Sequence, residues 1–74
     1  MQTLSQGSMG PDVRVVQSLL NRIGYFAGPV DGIFSNQSVQ AVTAFQRNNG
    51  LAADGVVGPA TWNVLNRLLR GYDT

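Results

Sequence analysis

Histidine, cysteine, lysine and glutamate are all missing from the 74 residues of this chain. Without histidine, cysteine or glutamate, the side chains that most often ligate metals or move protons are gone, and only four aspartates remain. Serine, threonine and tyrosine have no side-chain base to activate them as nucleophiles. These absences point away from an enzyme: no catalytic residue, metal ligand or cofactor is expected. The lack of cysteine also removes disulfides as a means of holding a small core together, so stability has to come from packed helices or from a larger parent protein. It leaves the compartment open.

Long hydrophobic runs are missing too. Nothing approaches the roughly 18 residues of a membrane span, and the N-terminus carries neither the basic nor the apolar region of a signal peptide. Strong charge of either sign is lacking, with five arginines against four aspartates and a net charge of +1. Such a balance provides no electrostatic footprint for nucleic acid. Arg67 and Arg70 lie near the end of the last helical stretch, where they suit the helix dipole better than a DNA groove. What is present is an ordinary globular share of apolar residues, 43%.

Those residues fall into three stripes of helical period. Val13, Val16, Leu20 and Ile23 form the first, opened by Gly10-Pro11-Asp12 and closed by Gly24, which predicts a helix over about 11–23. Val39, Val42 and Phe45 mark a second over about 36–48, with Ser35 as an N-cap whose hydroxyl accepts a backbone hydrogen bond. Asn49-Gly50 closes it, and Leu51 is expected to fold back on the core. Trp62, Leu65 and Leu69 mark the third over about 59–70, opened by Gly58-Pro59 and ended by Gly71. No strand pattern competes, so the expected fold is an all-α three-helix bundle. Residues 1–9 read as a lead-in, 10–71 as the domain and 72–74 as the start of a linker, with Leu4 available to tuck against the core.

A repeat organises the connections. Asp31-Gly32 returns as Asp54-Gly55, and the same offset of 23 residues pairs Phe34 with Val57, Ser35 with Gly58, Ser38 with Thr61 and Val42 with Leu65. Aspartate before glycine suits a tight turn in which the short carboxylate accepts the turn's own N–H groups. The further oxygen donors of a calcium loop are missing. Val30, Ile33 and Phe34 are expected to anchor the first connection. Gln17 and Gln46 adjoin apolar stripe positions, where an amide can bond the backbone of an irregular connection. Phe45 and Trp62 are read as core.

One surface hints at a ligand. Asn36, Gln40, Thr43 and Arg47 form a straight polar stripe on the outer face of the second helix, which suits either a hydrogen-bond-rich ligand or plain solvent. Tyr25 and Phe26 follow the first helix, and an exposed ring there offers area for stacking on a sugar, although a buried loop anchor fits equally.

From Gly7 to Leu69 the chain resembles the three-helix peptidoglycan-binding domains fused to bacterial cell-wall hydrolases. The resemblance rests on Gly7, Gly10, Val13, Val16-Gln17, Leu20 and Gly24-Tyr25 in the first part. It continues through Asp31-Gly32-Ile33-Phe34-Ser35, Ser38, Ala41-Val42, Phe45-Gln46 and Gly50-Leu51. It ends with Asp54-Gly55-Val56-Val57-Gly58, Thr61-Trp62 and Leu65. Val16, Ser35 and Ser38 stand where the family pattern has Leu, Gly and Thr. The resemblance implies non-covalent binding of peptidoglycan, through glycan or stem peptide, that holds a tethered catalytic domain (an amidase, endopeptidase, lytic enzyme or spore-cortex hydrolase) on its substrate. It implies a monomer that is secreted or associated with the cell wall, with no nucleic acid or membrane partner. Within this reading Tyr25, Asn36, Gln40, Thr43 and Arg47 are the expected ligand contacts, while Asp31, Gly32, Phe34, Phe45, Gln46, Asp54, Gly55 and Trp62 form the turn and core motif. The alternative role is an interaction or autoinhibitory pro-domain packed on a partner peptidase.

Overall fold

The computed structural model describes the backbone of residues 2–73 and the side chains of residues 2–70. It contains three helices, α1 (Pro11–Arg22), α2 (Asn36–Asn48) and α3 (Pro59–Asp73). Pro11 takes the first turn of α1, where its missing N–H has no intrahelical partner to lose, and Asp12 faces the positive end of the dipole. Both α1 and α2 end in the same hydrogen-bonded motif. The Tyr25 N–H reaches back to the Leu20 carbonyl at 2.8 Å, and the Leu51 N–H to the Gln46 carbonyl at 2.9 Å. These bonds close the last turn and redirect the chain toward the core.

Three local expectations are corrected. Ser35 does occupy the N-cap of α2, but its hydroxyl makes no capping bond; its carbonyl accepts the Val39 N–H instead. Gly71 does not end α3, which continues to Asp73, because one glycine costs a helix only about 1 kcal/mol. The expected linker start at 72–74 therefore overlaps α3, and Thr74 lies outside the described residues, as does Met1. Of the three apolar anchors expected in the first connection, only Phe34 is buried, while Val30 and Ile33 are each 48% exposed. Extended backbone alternates its side chains, so burying Phe34 turns Ile33 outward.

The core is built from Val13, Val16, Leu19 and Leu20 of α1, Ala41, Val42 and Phe45 of α2, and Trp62 and Leu65 of α3. Leu4, Ala27, Phe34 and Val57 close it from the connecting segments. Leu4 is only 2% exposed, so the segment read as a lead-in contributes to the core. Its N–H and carbonyl pair with Val57 at 3.0 and 2.8 Å. A few residues on, Gly7, Ser8 and Gly10 pair with Phe34 and Gly32. The N-terminal segment thus ties both Asp-Gly connections together through isolated bridges, Leu4 with Val57 and Met9 with Ile33. At its start, the Trp62 indole donates to the Gln2 carbonyl at 2.7 Å.

Candidate binding surfaces and the scaffold beneath them

Each Asp-Gly connection is held by a buried glutamine from the preceding helix. The Gln17 amide nitrogen donates to Asp31 Oδ1 (3.2 Å), the Ile33 carbonyl (2.8 Å) and the Ser38 hydroxyl (3.2 Å). Its oxygen accepts the Gly32 N–H at 3.0 Å. Gln46 repeats the pattern with Asp54 Oδ1 (3.1 Å), the Val56 carbonyl (2.8 Å) and the Thr61 hydroxyl (3.1 Å), and accepts the Gly55 N–H at 3.0 Å. The aspartates complete each turn by accepting from Ile33 and Val56 at 2.9 and 3.0 Å. Asp31 and Asp54 are held below the ordinary carboxylate range, first by those backbone N–H groups and then by the glutamine amides. Both carboxylates are thus engaged in turn geometry. Among the described residues, no group of three His, Cys, Asp or Glu side chains is placed to hold a metal ion.

The two connections differ in length. Gln17 and Asp31 are fourteen residues apart, Gln46 and Asp54 only eight. The extra residues of the first connection carry Tyr25 and Phe26 and are bracketed by Asn21, a residue the sequence did not single out. Asn21 accepts the Ala27 N–H at 2.7 Å and donates to the Gly28 carbonyl at 3.0 Å. The signal for it was weak, one amide in the last turn of a helix before a glycine-rich loop.

The longer loop lies against α2. A side chain at Gly28 would begin 2.5 Å from Gln37 Oε1, and the Ser38 hydroxyl reaches the Ala27 carbonyl at 3.4 Å. Tyr25 is half-buried, its ring edge-on to Phe45 at 5.7 Å and its hydroxyl accepting from Asn48 at 2.8 Å. Phe26, by contrast, is 73% exposed. The expected contact residues Asn36, Gln40 and Arg47 lie together on the exposed face of α2, with Thr43 half-buried beside them. Two of these side chains already have partners: Asn36 Oδ1 accepts from Gln6 at 3.1 Å, and the Thr43 hydroxyl donates to the Val39 carbonyl at 2.8 Å.

Residues 9–65 match the family model described as "Putative peptidoglycan binding domain". The chain belongs to this family. Among curated relatives, it is 46% identical over 52 residues to the N-acetylmuramoyl-L-alanine amidase CwlM of Mycobacterium tuberculosis, covering 70% of this chain and 13% of that protein. It is 38% identical over 72 residues to a spore cortex-lytic enzyme of Bacillus cereus, covering 97% of this chain and 27% of that protein. Among solved structures, the SleB N-terminal domain superposes with a TM-score of 0.86 at 36% identity, covering 90% of this chain and 92% of that one. The domain therefore corresponds to a small part of each enzyme and to nearly all of one separately solved domain of the same three-helix fold. The twin glutamine networks explain how so small a chain holds that fold, because they satisfy polar groups at both irregular connections inside the core.

Proposed function

We propose that this domain binds cell-wall peptidoglycan without chemistry of its own and holds a covalently attached hydrolase on the polymer. The observation that carries the reading is membership of the peptidoglycan-binding family across residues 9–65, alongside relatives that are cell-wall amidases and cortex-lytic enzymes. The gain for the parent enzyme is effective concentration: a tethered catalytic domain meets its polymer intramolecularly once the module is bound. The site of action is the bacterial envelope or spore cortex. The domain works as a monomer.

The glycan contacts are assigned to the exposed face of α2, through Asn36, Gln40, Thr43 and Arg47, with Tyr25 bracing the adjoining loop. Phe26 supports this assignment, since its exposed ring on the loop packed against Gln37 is suited to stacking on a sugar face. Co-sedimentation with insoluble sacculi tests both parts. The wild-type domain should pellet with sacculi, and folded Phe26→Ala, Arg47→Ala, Asn36→Ala or Tyr25→Ala variants should pellet less. Retention by every variant moves the glycan site off α2. A folded wild-type domain that stays in the supernatant with several wall types defeats the binding reading.

A further inference from the structure

We propose that a trough along the outer face of α1 is the subsite for the stem peptide of peptidoglycan, with Arg14 contacting one of its carboxylates. This assignment rests on the peptidoglycan-binding reading and adds to it a second surface and a second part of the polymer.

Five large apolar side chains are exposed among the described residues, and four of them, Met9, Val15, Val30 and Ile33, border two hollows that share Arg14. Val15 and Val30 line the first, of ≈ 380 Å³, together with Leu19 and Leu69. Met9 and Ile33 line the second, of ≈ 470 Å³, beside Pro11. Single exposed apolar residues are common on protein surfaces, but four bordering two hollows on either side of one arginine make a patch with a definite chemistry. The turn scaffold produces it: burial of Phe34 turns Ile33 out, and the Gly10 N–H to Gly32 carbonyl bond brings Met9 alongside.

The two parts of peptidoglycan make different demands on a binding surface. Glycan offers hydroxyls and acetamido groups, best met by amides and an aromatic platform; among the described residues, no aromatic ring lines either hollow. A stem peptide offers alanine methyls, the aliphatic arm of a diamino acid and several carboxylates. Methyl-sized apolar walls around a guanidinium complement that composition. Arg22, two turns further along the same helix, lines the smaller hollow with Arg14, and the lining there is chiefly apolar, as the aliphatic stems of two arginines supply. Asp31 lies in the larger hollow, already engaged by the Ile33 N–H and the Gln17 amide. The ligand carboxylate is therefore placed on Arg14 where the two hollows meet, with the aliphatic part of the peptide on the Val15–Val30 side.

The test is an NMR and calorimetric titration of the full chain with the tetrapeptide L-Ala-γ-D-Glu-diaminopimelate-D-Ala, its carboxamide derivative and peptide-free glycan strands. Sacculus sedimentation runs in parallel. The tetrapeptide should shift the amides of Val15, Ser18, Gly32 and Ile33. Losing one charge-assisted contact should weaken binding about tenfold, whether by Arg14→Gln or by amidating the peptide. Amidation should add little further loss in the Arg14→Gln variant, because both changes remove the same contact. Val15→Asp, at an exposed position, supplies a second variant that opposes an anionic ligand without touching Arg14. If sacculi retain the wild type while the tetrapeptide shifts no trough amide, or while both folded variants bind it normally, the trough assignment fails and the targeting function survives. If sacculi do not retain the wild type, the targeting reading itself fails.

Discussion

Gln17 and Gln46 make the same four hydrogen bonds to two different loops, each to an aspartate, a carbonyl two residues later, a hydroxyl and a glycine N–H. Two hydrogens on each amide nitrogen serve three acceptors, so at least one is shared. The equivalence identifies α1–α2 and α2–α3 as two copies of one helix–loop–helix unit that share α2. Within each copy, the first helix supplies the glutamine and the second the hydroxyl, Ser38 or Thr61. The middle helix therefore belongs to both.

The first prediction concerns these amides. Replacing Gln17 or Gln46 by leucine keeps the volume but strands the buried Gly32 or Gly55 N–H. Each variant should lose about 2–3 kcal/mol, the cost of an unsatisfied buried donor together with its lost partners. Urea denaturation followed by circular dichroism measures it. A loss below about 0.5 kcal/mol would show that the loops hold themselves.

A second prediction follows from the lowered pKa values of Asp31 and Asp54. A carboxyl more acidic in the folded than in the unfolded chain adds stability that is fully present above the unfolded value of about 3.9. That stability is lost as pH falls through the lower folded value. The domain should thus hold a constant stability from pH 7 to about pH 5 and weaken below about pH 4. The double variant Asp31→Asn, Asp54→Asn should flatten that acid limb in thermal melts.

Glycine is required at the turn centres. Gly32 and Gly55 have φ of +78° and +74°, a region that costs a residue with a β-carbon roughly 1–2 kcal/mol. Space is short as well: a β-carbon at Gly32 would lie 3.2 Å from the Gly10 carbonyl oxygen, and one at Gly55 3.1 Å from Val39 Cγ1. Gly32→Ala and Gly55→Ala should each destabilise by about 1–3 kcal/mol. Gly32→Ala should also displace Arg14, whose Nε would lie 3.1 Å from the new methyl, and so shift the trough resonances.

The N-terminal segment should behave as part of the domain. Leu4→Ala removes a side chain that is 2% exposed and should cost about 2–4 kcal/mol, in the range for buried leucines. Hydrogen exchange should show the Leu4 and Val57 amides protected together, since each donates to the other's carbonyl. Fast exchange at Leu4 beside a protected Val57 would contradict the pairing.

What the sequence determined by itself was everything written in short-range chemistry. Pro11 and Pro59 at helix starts, Gly24 and Gly50 at helix ends, and apolar residues at helical spacing place three helices within a few residues of where they lie. The Asp-Gly repeat and the family motif are legible in the same way, because turns and caps involve neighbours in the chain. Only the tertiary structure decided which side chains close the fold. That Gln17 and Gln46 each bond an irregular connection was legible from their places beside the apolar stripes, but the identity of their partners was not, because the first connection is longer and the glutamines do not share the spacing that aligns Asp31 with Asp54. Tyr25 and Phe26 are adjacent aromatics after one helix, and packing on Phe45 half-buried the first while leaving the second in solvent. Val30 and Ile33 were expected as anchors and became surface; for Ile33 the reason is that its neighbour Phe34 took the inward side of a short extended segment. Such choices depend on contacts between residues far apart in the chain, and local spacing carries no record of which of two apolar neighbours the core has room for.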